Sequence, residues 1–93
     1  MLDGEGVPLI AIRGFADSGN MTQALFVTPE CPVWAKCAAM NADGSIAFFD
    51  TIPLGCDETR GQWIFREWLF VRCRYSSRRG RGDWRRSLLI REA

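Results

Sequence analysis

Residues 33–52 read Val33-Trp34-Ala35-Lys36-Cys37-Ala38-Ala39-Met40-Asn41-Ala42-Asp43-Gly44-Ser45-Ile46-Ala47-Phe48-Phe49-Asp50-Thr51-Ile52. Two apolar-rich arms, 33–40 and 45–52, flank a four-residue loop whose glycine is available for positive φ. That arrangement predicts a β-hairpin. Pro53 and Gly55 end the second arm. Upstream, Val7 to Phe15 is rich in aliphatic and β-branched residues and reads as a strand, with Pro8 confined to its opening. Ala16 to Asn20 is a turn by composition, and Met21 to Thr28 reads as a further strand stopped by Pro29 and Pro32.

Downstream the pattern is ambiguous. Apolar residues at 64, 68, 71 and 75 fit one helical face, and Asp57 could cap a helix. Gly61 and the density of aromatic and β-branched residues argue against it. From Leu69 the chain alternates, with Leu69, Val71, Cys73 and Tyr75 on one side and Phe70, Arg72 and Arg74 on the other. Residues 69–75 are therefore read as a strand, 57–68 as open between strand and short helix, 76–82 as a loop, and 84–91 as a last strand.

At 93 residues the chain is the size of a single domain spanning 1–93. The expected fold is mostly β, a small antiparallel meander of five to six strands closing into a barrel or bent sheet. The alternative is α+β, with one short helix around 57–68 packed on the sheet. A hydrophobic share of 47% and a charged share of 25% are ordinary globular usage. Met1-Leu2-Asp3-Gly4-Glu5-Gly6 carries neither the basic nor the apolar region of a secretory signal. Apolar runs such as Trp68-Leu69-Phe70-Val71 are far too short for a bilayer. A cytoplasmic protein that does not engage membranes is expected.

No histidine is present, which removes His-dependent triads, Cys–His dyads and imidazole metal sites. No phosphate-binding glycine loop is recognisable, and Asp57-Glu58 is the only adjacent carboxylate pair. A non-enzymatic protein without cofactor is the expectation. Cys31, Cys37, Cys56 and Cys73 lack the close pairing typical of structural zinc. They read as free thiols with no metal, Cys31 being the one placed in an exposed loop.

The net charge of +1 hides an asymmetry: −4 over residues 1–56 and +5 over residues 57–93. Either the halves neutralise one another, or the basic end meets an acidic partner. On a straight strand from Arg66, the side chains of Arg66, Trp68, Phe70, Arg72 and Arg74 would share one face. Arg78, Arg79, Trp84 and Arg85 would follow in the loop and last strand, with Arg81 and Arg86 among them. Aromatic planes flanked by guanidinium groups suit single-stranded nucleic acid, where bases stack and arginines neutralise phosphates. The competing reading places Trp68 and Phe70 in a core or interface. Trp, Phe and Arg are also the residues enriched at protein-binding hot spots, so a protein-interaction module, most simply a homodimer, is the leading expectation. Single-stranded nucleic acid is the alternative.

Overall fold

The computed structural model describes residues 21–92; the strand expected at 7–15 and the turn at 16–20 lie outside them. Six strands are present among the described residues: β1 (Cys37–Met40), β2 (Ser45–Phe49), β3 (Gly55–Asp57), β4 (Gln62–Ile64), β5 (Cys73–Arg79) and β6 (Leu89–Ile90). Three short 3-10 turns, Gln23–Val27, Trp68–Phe70 and Trp84–Arg86, connect or cover them. The fold is mostly β, with a four-stranded antiparallel sheet in the order β5-β2-β1-β6 and a separate β3-β4 hairpin. The expected simple meander is corrected by that order. The β3-β4 hairpin interrupts the path from β2 to β5, and β6 crosses to the opposite edge. No barrel closes and no α-helix forms among the described residues, so the helix considered for 57–68 is absent.

The β1-β2 hairpin turns at the expected loop, but its arms are shorter than 33–40 and 45–52: pairing runs from Cys37↔Phe49 to Met40↔Ile46, and residues 33–36 and 50–52 lie outside the strands. Gly44, at φ 90°, supplies the left-handed residue of the loop. The Asp43 carboxylate accepts from both the amide and the hydroxyl of Ser45, an Asx-type brace for the turn. These hydrogen bonds, the hydroxyl's first, hold the Asp43 carboxyl below its ordinary range.

Both faces of this hairpin are buried. Ala38, Met40, Ile46 and Phe48 face the segment that contains Met21, Leu25 and Phe26. Cys37, Ala39, Ala47 and Phe49 face Trp63 and Phe65. Alanines at the centre of both strands let the covering elements approach closely. Met21–Thr28 was expected to be a strand, but adjacent Leu25 and Phe26 are both buried on the same side. A strand would send neighbours to opposite faces; the 3-10 turn places both on the sheet.

In the ambiguous region, Asp57 caps a turn instead of a helix, its carboxylate accepting from the amides of Thr59 and Arg60. Gly61 completes that turn at φ 70°. Trp63 then reaches across to donate from Nε1 to the Met40 carbonyl at 2.8 Å, and its ring meets Trp84 edge-on at 5.9 Å. Trp84 packs against both cores, which explains why residues 84–86 form a turn and the last strand shrinks to Leu89–Ile90.

One segment straps the first face from edge to edge. Gln23 donates through Nε2 to the Ile90 carbonyl at 2.7 Å and accepts the Glu92 amide at 3.1 Å. A few residues on, Glu30 binds β5: its carboxylate accepts from the Ser77 amide at 2.7 Å and the Ser76 hydroxyl at 3.0 Å. Side chains thus occupy backbone positions on both outer strands.

Candidate functional site

The straight strand expected from Arg66 does not form, because Trp68–Phe70 is a 3-10 turn and β5 starts only at Cys73. Arg66, Trp68, Phe70, Arg72 and Arg74 therefore do not share a period-two face. The strand also continues to Arg79, through residues read as loop. Ala47↔Tyr75 and Ser45↔Arg79 bracket a bulge in which Ser76, Ser77 and Arg78 of β5 stand opposite Ile46 alone, two residues in excess.

The arginines fall into different environments. Arg72 lies with its guanidinium 5.9 Å from the Trp34 ring centroid, and its amide donates to the Asp50 carboxylate at 3.0 Å. Arg78 pairs with Glu30 at 3.6 Å, and Arg79 donates to the Asp43 carbonyl. Arg85 grips Asp83 through Nε and Nη2 at 2.9 and 3.0 Å, and meets Glu58 at 3.5 Å. The Arg85 bond lowers the Asp83 carboxyl from its ordinary range. Arg66 and Arg74 are exposed and make no ion pair among the described residues. Charge neutralisation between halves is thus real at Glu30–Arg78 and local at Asp83–Arg85.

The aromatic residues also separate. Trp84 is a half-buried wedge between the two cores, and no platform for a ligand. Trp68 stacks on Phe65 at 5.2 Å with rings 6° from parallel, and Phe65 in turn packs on Phe49 at 4.8 Å. This aromatic column anchors the turn and leaves its apolar side chains outside: Trp68 is 55% exposed, Leu69 94% and Phe70 76%. Leu54 and Ile64 are exposed as well, joined by the Leu54 amide donating to the Ile64 carbonyl.

Sequence reasoning named Trp68 and Phe70 but not Leu69, Leu54 or Ile64. It also missed Trp34 as the partner of Arg72 and Glu30 as the latch on β5. Their signals are weak in sequence, because each depends on a neighbour distant along the chain.

All four cysteines are free thiols. Burial, reinforced by the nearby Asp50 charge, pushes the Cys37 thiol up to about 12. The exposed thiol is Cys73; Cys31, expected in that role, is half-buried. No described helix is long and apolar enough to cross a membrane. Among the described residues, no three His, Cys, Asp or Glu side chains are grouped to hold a metal ion. Comparison with family models, curated proteins and solved structures returns no match.

Proposed function

We propose that this chain is a small, non-enzymatic, cytoplasmic protein-interaction module that self-associates through its apolar turn. The observation that carries the reading is the run Trp68-Leu69-Phe70, three consecutive large apolar side chains held out from a rigid aromatic column. Exposed apolar groups that cluster mark contact surfaces, and Trp and Phe are suited to hot spots. Side-chain capping by Gln23 and Glu30 blunts the sheet edges, which favours the turn over edge pairing as the contact.

Sedimentation velocity over a concentration series tests this. The wild-type chain is expected to shift from monomer to dimer with concentration, and the double variant Leu69→Ser, Phe70→Ser to stay monomeric with an unchanged melt. A wild type that is monomeric throughout rejects self-association.

A second reading, single-stranded nucleic acid, is favoured by residues 72–81, which hold five arginines and no acid. Fluorescence anisotropy with a labelled single strand at two salt concentrations tests it. Binding that weakens steeply with salt supports it, because neutralised phosphates release counterions. No binding at low salt and micromolar protein rejects it.

A further inference from the structure

The β1-β2 loop and the β3-β4 turn touch where the Ala42 amide donates to the Gly61 carbonyl at 3.0 Å. Beside that contact lies a cleft of about 350 Å³, with Asn41, Ser45, Arg60, Gln62 and Tyr75 among its walls. Its size falls at the lower end of the range of about 300–1,000 Å³ usual for small-molecule sites.

Hydrogen-bond accounting inside the cleft leaves one group unmatched. The Ser45 hydroxyl donates its single proton to Asp43 Oδ1 at 2.6 Å. Toward Asn41 it can only accept, so the 3.3 Å contact must come from Asn41 Nδ2. That fixes the orientation of the amide. Asn41 is only 9% exposed, and its Oδ1 receives no donor among the described residues. Its backbone is already used, the amide donating to the Ser45 carbonyl and the carbonyl accepting from Gly44. Buried side-chain acceptors are seldom left without a partner. Here the unmatched acceptor belongs to a residue of the cleft wall.

The other walls narrow the ligand. Tyr75 offers a ring that is 58% exposed, a surface on which a planar group can stack. Arg60 presents a well-exposed guanidinium, paired only loosely with Asp57 at 3.8 Å, and suited to a phosphate. An asparagine amide matches the donor–acceptor edge of adenine: the exocyclic amino group donates to Oδ1, and a ring nitrogen accepts from Nδ2. We infer that this cleft binds an amino-bearing nucleobase of the adenine type, with its phosphate at Arg60. The base arrives as a free mononucleotide or as an unpaired position of a single strand. The site is separate from the apolar turn, and either proposal can fail alone.

Amide chemical-shift mapping on the full chain tests it, with adenosine monophosphate, purine riboside monophosphate, ribose 5-phosphate and a short oligoadenylate as probes. Adenosine monophosphate is expected to shift residues 41–45, 60–62 and 75. Purine riboside monophosphate lacks the amino donor and should bind about 2- to 12-fold more weakly. This probes the Asn41 bond without altering the loop that Asn41 helps to shape. Tyr75→Leu, at an exposed edge position, should weaken binding about 5- to 140-fold by loss of stacking. Leu69→Ser should leave it unchanged. Oligoadenylate binding more tightly than the mononucleotide assigns the site to unpaired strands; equal affinity assigns it to the free nucleotide. The inference is overturned by no shift at millimolar mononucleotide, or by shifts confined to other residues. Equal affinity for the purine riboside, or an equal response to ribose 5-phosphate, also overturns it.

Discussion

The Ser87 hydroxyl accepts the backbone N–H of Met40 at 2.8 Å, just beyond the end of the β1-β6 ladder. Backbone pairing between β1 and β6 covers only Cys37↔Ile90 and Ala38↔Leu89. The preceding turn, Trp84–Arg86, brings Trp84 against both cores, so a side chain takes the place of strand pairing at Met40. Ser87 is fully buried and its Oγ also lies 2.6 Å from the Trp84 carbonyl, to which it donates. One hydroxyl thereby joins the sheet to the wedge.

Ser87→Ala removes the acceptor and leaves the Met40 amide buried without a partner. The expected loss is about 1–3 kcal/mol, read as a lower urea midpoint with an unchanged slope. A midpoint equal to wild type would show that the hydroxyl is dispensable.

Glu30 makes stability pH-dependent. The Ser77 amide is the main cause of its lowered pKa; desolvation opposes it, and the Ser76 and Ser77 hydroxyls and Arg78 each add a lesser lowering. A carboxylate whose folded pKa is depressed stabilises the fold above its unfolded value, near 4.5. The contribution is lost as pH falls through the folded value. Glu30→Gln resembles the protonated acid. Its stability deficit against wild type is therefore expected to be full at pH 7 and to shrink in acid. Urea midpoints of both proteins at neutral and acidic pH give the comparison, and a deficit independent of pH would contradict it.

Gly61 is constrained twice. Its φ of 70° is left-handed, and a Cβ there would lie 2.7 Å from the Ala42 Cβ. Gly61→Ala is expected to cost about 1–3 kcal/mol. In an Ala42→Gly background the clash disappears but the backbone strain remains, so the cost should fall without vanishing. A double-mutant cycle by thermal or urea denaturation separates the two; strict additivity would mean that the turns do not press on each other.

The hairpin was legible because its information is local: Met40 and Ser45 end and begin strands at the positions the Asn41–Gly44 loop implies. Trp63 and Phe65 were less so. Their period-two burial between exposed Gln62, Ile64 and Arg66 was masked by a coincidental helical spacing of 64, 68, 71 and 75. The polar part of β5, Ser76 to Arg79, reads as loop because an exposed edge strand needs no apolar face. Its course depends on β2 and on Glu30, which no local pattern reveals. For the candidate site, residue types such as Trp68 and Phe70 were visible, but their shared face depended on a straight strand that the 3-10 turn replaces. The Asn41 cleft arises only when two turns far apart in sequence meet.

The strap from Gln23 to Glu30 ties the fate of the sheet's two margins together. An amide blocks one margin and a carboxylate the other, and both are carried on a single stretch of backbone that is itself held down by Leu25 and Phe26. Damage to that stretch uncovers both margins in one event. Loss of the Phe26 side chain, which anchors that stretch on the first face of the sheet, is therefore expected to loosen the ties at Ile90 and at Ser77 together.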